Sequence, residues 1–242
     1  MHRYHRLGEL PKKRHMALRK PDGGVYYEEL KGNKGFVGPS SLLYHLHRPT
    51  AVVGTKLLRE VQLDEDPDRQ LRMRHFFTNK LARGGSPTMG RVPMLFNNDV
   101  TLWMAFPDKE DDFYYRNAQG DEIVYVSDGS GTLETAFGEL VYNQGDYLVI
   151  PRGILHRYRL GKDEQRFFIT ESKGEVRTPK RYRNEYGQLI ERSPFSERDW
   201  RVPENLITVD KQEPTPIIVK QRDQLTEVTL DHHPCDVIGW DG

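Results

Sequence analysis

The chain has a single cysteine, Cys235, in 242 residues. This excludes an internal disulfide and a zinc site built on several cysteines, and a reducing, cytoplasmic setting is the expectation. Net charge is also absent, because 36 Lys and Arg balance 36 Asp and Glu. Nucleic-acid binding draws on a basic excess that displaces phosphate counterions, so no nucleic acid is expected as a partner. Long apolar runs are missing. Stretches such as Tyr147 to Ile150 are only a few residues long, whereas a membrane span needs about 20, so no membrane is expected either. The N-terminus is basic but lacks the apolar core of a secretory signal. No stretch holds a 3.6-residue apolar period through three turns, and no repeat recurs at solenoid spacing.

What is present points to many short strands. The 21 Gly and 15 Pro are spread throughout, and short alternating or β-branched segments lie between them, as in a sandwich or barrel. Aromatic residues make up 10% of the chain, and each can bury a large area, so a core is feasible. Residues 1–50 read as an N-terminal arm and extension, locally basic at Lys12, Lys13, Arg14, Arg19 and Lys20. The arm is expected to be solvated or to embrace a subunit, with an anionic partner as the alternative. Pro21-Asp22-Gly23-Gly24 is turn chemistry that would join strands at His15–Arg19 and Val25–Leu30. Residues 51–172 read as a barrel. Its strand candidates include 51–63, 71–77, 92–96 and 101–106, with tight turns at Ser127–Gly131, Gly138 and Gly145. Residues 173–215 read as an irregular connection, and 216–242 as final strands and the expected start of a further C-terminal domain. Val237, Ile238 and Trp240 are apolar and read as residues awaiting a core, so exposure and self-association of the isolated chain are expected there.

Within this block, Gly145, Pro151, Gly153 and His156 stand at the spacing Gly, five residues, Pro, one residue, Gly, two residues, His. This resembles the second signature segment of the cupins, which are small antiparallel β-barrels or jelly rolls. The Asn that ends that pattern is Leu160 here. The first cupin segment carries His-x-His, four residues, then Glu. Counting back from Glu122, the histidine positions hold Tyr115 and Asn117. Non-haem Fe(II) wants two imidazoles and a carboxylate on one face. At those places this chain offers one carboxylate, Glu122, and one imidazole, His156. They are the only metal candidates the resemblance yields. The competing expectation is a strand-edge carboxylate and a hydrogen-bonded barrel histidine.

Four further segments narrow the resemblance: YHLHRPT at 44–50, YYRNAQGDE at 114–122, SPFSERDWRVP at 193–203 and PCDVIGWDG at 234–242. In this order they resemble homogentisate 1,2-dioxygenase. That resemblance implies two cupin-like halves, of which the N-terminal holds no metal. The C-terminal half binds Fe(II) through two His and one Glu, and opens the ring of homogentisate with O2 to give maleylacetoacetate. It further implies a C-terminal catalytic cupin as partner, a homo-oligomer, and a small aromatic acid as substrate of the complete enzyme. No catalytic, cofactor-binding or iron-binding residue carries over, and no cofactor is expected on this chain. The alternatives are a self-sufficient, non-catalytic cupin that binds a small ligand or partner, and a divergent metal enzyme using Glu122 and His156.

Other groups carry chemistry of their own. His45 and His47 share one face of a strand at period two, but the position where a cupin glutamate would follow is Val52; an interface or ordinary hydrogen bonds are expected. His232 and His233 would diverge on an extended chain, with or without Cys235, which reads as a buried thiol. Arg177, Lys180, Arg181, Arg183, Arg192, Arg198 and Arg201 interleave with Glu175, Glu185, Glu191, Glu197 and Asp199. That mixture suggests a solvated or subunit-facing surface, with a carboxylate clamp as the alternative.

Overall fold

A computed structural model describes residues 4–242. Among them are sixteen strands, three single 3-10 turns and no α-helix. The strands form three sheets. The first orders β10 (Gly138–Tyr142), β9 (Gly131–Thr135), β12 (Leu155–Leu160), β7 (Tyr114–Asn117), β14 (Thr215–Gln221), β15 (Gln224–Leu230) and β4 (Val52–Glu60). The second orders β11 (Tyr147–Ile150), β8 (Asp121–Asp128), β13 (Arg166–Ser172), β6 (Val100–Ala105) and β5 (Val92–Phe96). The third orders β1 (Arg6–Gly8), β16 (Val237–Asp241), β3 (Ser40–His45) and β2 (Tyr27–Gly32). The β14–β7 pair is parallel and every other named pair antiparallel. The all-β, cupin-like barrel expected from the turns and alternation is present.

The first two sheets face each other across the main core. Period two sends alternate side chains inward. From β8 these are Val124 and Val126; from β13, Phe167 and Ile169; from β12, Tyr158; and from β6, Trp103 and Ala105. Tyr142, Tyr158 and Phe167 meet edge-on or tilted with centroids 5.5–6.1 Å apart, the offset geometry that aromatic quadrupoles favour. Gly138 shows why a tight turn needs its residue. Its φ is +120°, and a Cβ there would lie 2.1 Å from the Asn205 carbonyl oxygen. The 201–205 segment docks at that spot through the hydrogen bond from Glu139 N to Asn205 O at 2.9 Å.

The β14–β15 hairpin turns on Arg222 and Asp223, at φ 52° and 57°. Paired left-handed residues suit the type I′ turn that matches strand twist, although Gly or Asn usually fills it. Gln119 holds the turn: the Asp223 amide donates to Gln119 Oε1 at 2.8 Å, and Gln119 Nε2 donates to Asp223 Oδ1 at 2.8 Å.

The basic side chains Lys12, Lys13, Arg14 and Arg19 are exposed, as expected of a solvated arm, while the start of the arm is anchored at β1. That strand pairs with β16 of the same chain, Arg6 opposite Asp241 and Leu7 opposite Trp240. Several expectations are corrected. The proposed His15–Arg19 strand reduces to one bridge, Arg19 to Val25. Residues 71–77 form no strand, and Leu71, Met73 and Phe77 stand exposed; alternation needs a neighbouring strand edge to become a ladder, and none is adjacent. Val237 and Trp240 are buried rather than open. They pack with Leu43 and Ala136 against Leu7, Phe137 and Leu206. Their cover comes from segments far away in sequence, which local reading cannot supply. Between β13 and β14, which begins at Thr215, the chain has no named strand, only short turns at Lys180–Tyr182 and Glu197–Asp199. The second turn carries a capping box between Ser196 and Asp199.

Trp240 joins the third sheet to the barrel. Its Nε1 donates to the Phe137 carbonyl at 2.8 Å, and the two rings meet edge-to-face at 5.1 Å. Trp240→Ala is expected to cost about 3–5 kcal/mol of stability in urea denaturation. A loss below about 1 kcal/mol would show that this sheet is not coupled to the barrel.

Candidate functional site

The strands that would build a cupin metal site converge inside the barrel. β7 contributes Tyr115 and Asn117, β8 contributes Glu122, and β12 contributes His156, which lies opposite Tyr115 in the ladder. All four are buried. A fifth residue, Arg91, enters from the loop just before β5. Its Nη1 and Nη2 donate to Glu122 Oε1 and Oε2, each at 2.9 Å, and its Nε donates to the Pro87 carbonyl at 2.9 Å. Asn117 Nδ2 also donates to Glu122 Oε1 at 2.9 Å. Asn117 is held in turn, because its Oδ1 accepts from the amides of Gln119 and Gly120 at 3.1 and 3.0 Å.

The electrostatics follow from this geometry. Burial pushes the Glu122 carboxyl up, but the charge and hydrogen bonds of Arg91, with His156 and Asn117, outweigh it and bring its pKa to about 2. Burial lowers His156 and outweighs the pull of Glu122, so the ring is neutral. Its Nδ1 lies 3.1 Å from the Ile154 carbonyl oxygen and donates to it. Nε2 is then the bare acceptor, buried without a hydrogen-bond partner among the described residues. Burial, with Glu122 adding to it, holds the Tyr115 phenol well above its ordinary value, so it stays protonated. Its ring meets His156 edge-on at 5.4 Å, and the Arg91 guanidinium lies 5.5 Å from the ring centroid.

Non-haem iron does not fit these residues. Both Glu122 oxygens face a guanidinium, Tyr115 keeps its proton, and Asn117 offers a neutral amide already used as a donor. One imidazole nitrogen remains, which is short of the two-imidazole, one-carboxylate face iron requires. Among the described residues no three His, Cys, Asp or Glu side chains are grouped for a metal ion. The structure therefore brings Glu122 and His156 together, as their spacing implied, but around an arginine.

A second buried ion pair lies on the same barrel wall. Lys220 Nζ is 2.7 and 2.6 Å from the two Glu171 oxygens. Trp103 Nε1 donates to Glu171 Oε2 at 3.2 Å, and the ammonium lies 5.2 Å from the Trp103 ring centroid. Arg91 and Lys220 were not legible as site residues. Arg91 follows a Gly/Pro loop with no spacing signal. Lys220 interrupts an apolar strand, which was the one available cue.

The other candidates disperse. His45 Nδ1 is 2.7 Å from Asp236 Oδ1, and its Nε2 is 3.4 Å from Glu29 Oε2. His47 turns to Asp210 instead, Nε2 to Oδ1 at 3.0 Å, while its amide donates to Asp236 Oδ2 at 2.7 Å. His232 lies beside His47, with centroids 5.1 Å apart, and its Nδ1 is 2.6 Å from Asp231. His233 instead meets Tyr114 edge-on at 5.5 Å. Burial pushes the Cys235 thiol up to about 12 against the Tyr114 hydrogen bond, so it is an unreactive core group. In the Arg-rich stretch, Arg177 is 3.6 Å from Glu175 and Arg201 pairs with Asp146. No converging clamp forms from that stretch.

These features define a class: a cupin-type β-barrel whose metal position is held by an arginine–carboxylate pair. The family model described as homogentisate 1,2-dioxygenase N-terminal matches residues 93–242. A putative dioxygenase of Saccharolobus solfataricus is 40% identical over 240 residues, which is 99% of this chain and 62% of that protein. A homogentisate 1,2-dioxygenase of Bradyrhizobium diazoefficiens is 31% identical over 137 residues, 54% of this chain and 28% of that enzyme. Among solved structures, a cupin-2 domain containing protein from Shewanella frigidimarina is 21% identical at a TM-score of 0.31, covering 35% of this chain and 80% of that one. The chain belongs to the homogentisate 1,2-dioxygenase N-terminal family, and it spans less than two thirds of the curated relatives it matches. No helix among its described residues is long and apolar enough to cross a membrane.

Removing one partner of a buried ion pair leaves an uncompensated charge. Arg91→Met is expected to cost about 3–5 kcal/mol near neutral pH, and Arg91→Met with Glu122→Gln considerably less, both by urea denaturation. Because Glu122 is depressed, its contribution is full above the ordinary value of 4.5 and is lost as pH falls towards about 2. The wild type should lose stability over that window, and the double variant should lose less.

His45 behaves with the opposite sign. Burial lowers its pKa, but hydrogen bonds to Asp236 and Glu29 outweigh this and raise it. Its contribution is full below the ordinary value of 6.5 and fades as pH rises through the raised one. His45→Gln should cost about 1.5–3 kcal/mol in mild acid and less in mild alkali, read from thermal midpoints across pH. A pH-independent loss would remove this assignment.

Proposed function

We propose that this chain is the non-catalytic N-terminal cupin of a homogentisate-type ring-opening dioxygenase, acting in the cytoplasm as part of a homo-oligomer. In that reading a separate C-terminal cupin, with two histidines and a glutamate, holds Fe(II). The iron there would bind homogentisate and O2, and the ring would open to maleylacetoacetate. The barrel described above supplies scaffold and packing surface rather than chemistry. The observation that carries this reading is the Arg91–Glu122 pair, which takes up both carboxylate oxygens a metal would need. Membership of the N-terminal family supports it. Val53 and Leu57, exposed on the edge strand β4, would give this chain an apolar surface for packing against the catalytic cupin.

A second reading, a self-sufficient cupin that binds a small ligand without catalysis, is favoured by one observation, a large cavity outside the barrel core. The readings separate in two measurements. Metal analysis after anaerobic ferrous loading should find no stoichiometric iron on this chain, and oxygen uptake with homogentisate should require a polypeptide that also contains a His/His/Glu cupin. One tightly held iron per chain with ring opening by this chain alone would overturn the proposal. A native stop codon after Gly242, with no catalytic cupin encoded, would favour the second reading.

A further inference from the structure

A half-open cavity of about 890 Å³ lies where the third sheet meets one end of the barrel. Its volume falls in the range typical of small-molecule sites. Leu133, Phe137, Ile154 and Trp240 give it apolar wall. Six Lys or Arg side chains also line it: Arg14, Lys31, Lys34, Arg116, Arg152 and Arg201. Five of them are paired. Arg14 is 3.2 Å from Asp241, Lys31 is 2.6 Å from Glu29, Lys34 is 2.7 Å from Glu175, and Arg152 is 3.2 Å from Asp121. Arg201 pairs with Asp146.

Arg116 is the exception. Among the described residues it makes no ion pair, and its Nε is buried without a hydrogen-bond partner. It lies on β7 between Tyr115 and Asn117, so period two turns it away from the barrel interior those two face and towards the cavity. The charges around it do not cancel. Glu29 is the acid that acts on Arg116, and it already serves Lys31 and His45. Burial lowers both cations, and the charge of Arg116 lowers Lys31 further. Both desolvated cations line the same cavity, and their mutual repulsion is one that a bound anion relieves.

We propose that this cavity binds a small organic carboxylate, with its anionic head on the Arg116 guanidinium beside Lys31 and its apolar body along Phe137 and Trp240. A carboxylate suits the site better than a phosphate. The uncompensated charge is a single guanidinium, whose planar fork matches two carboxylate oxygens. A dianion would carry one charge too many close to Glu29 and Glu175. The inference concerns a different part of the chain from the metal position, and it stands whether or not a catalytic cupin accompanies this one.

The test uses the whole protein near neutral pH, with benzoate and hexanoate as probes and their uncharged amides, benzamide and hexanamide, as controls. Binding is followed by calorimetry and by tryptophan fluorescence, since Trp240 lines the cavity. The acids should saturate, and the amides should bind at least about tenfold more weakly, because they cannot compensate Arg116. Arg116→Met should weaken the acids by about tenfold or more, leave the amides unchanged, and keep or raise the thermal midpoint, because it removes an unpaired buried charge. The proposal is overturned if acid and amide bind alike, if Arg116→Met binds the acids within about twofold of wild type, or if neither acid saturates by about 50 mM. Should Arg116→Met fail to fold, the acid–amide comparison on the unaltered protein decides.

Discussion

The Arg91–Glu122 pair is the interaction on which the barrel interior depends. A cupin barrel brings strands from distant parts of the chain together, and here they deliver a carboxylate, an imidazole, a phenol and an amide to one dry place. An ionised carboxylate cannot remain there alone, because the desolvation penalty far exceeds any single neutral hydrogen bond. A metal cation is one physical solution and a guanidinium is another. Arg91 supplies the positive charge and a planar fork that matches both oxygens. Asn117, standing where the family pattern would have an imidazole, becomes a donor to the same carboxylate. The loss of metal donors and the presence of the arginine are two aspects of one charge balance.

The same logic extends along the wall. Glu171 lies opposite Glu122 in the β13–β8 ladder, so two carboxylates sit side by side inside the barrel. Lys220 neutralises Glu171 from β14, the strand that joins the barrel sheet in parallel with β7. The late hairpin is thus tied to the barrel electrostatically as well as through its ladder. The third sheet is tied by a different device. Asp236 accepts from His45 and from the His47 amide, with His232 Nε2 4.0 Å away. Trp240 meanwhile closes over Phe137. Segments from both ends of the chain, β1 and β16, therefore lie in one sheet against the barrel.

Strand β7 divides the electrostatics of the molecule. Its inward residues, Tyr115 and Asn117, belong to a network in which each charge has a partner. Arg116 between them faces the other way and makes no ion pair among the described residues. A scaffold whose interior charges are matched has left one buried cation without an ion pair, among the described residues, beside a cavity with apolar walls. This difference sets the barrel centre, whose charges are matched, apart from the neighbouring cavity.

Much of the barrel was legible because it rests on local rules. The turns at Ser127–Gly131 and Gly145, and strands such as Val92–Phe96 and Tyr147–Ile150, follow from turn chemistry and alternation, and the structure places them there. The Gly145, Pro151, Gly153, His156 stem and the two missing histidine positions pointed to Glu122 and His156 as neighbours and left open what they hold. Three things could only be decided in the folded molecule. Arg91 as the replacement cation, Trp240 as a buried rather than an exposed residue, and Arg116 as the unpaired cation all depend on contacts between segments tens to hundreds of residues apart. Alternation and spacing tell which face of a strand a side chain occupies. Which charge or surface meets that face is set by sheet order and packing, and these exist only once the chain has closed on itself.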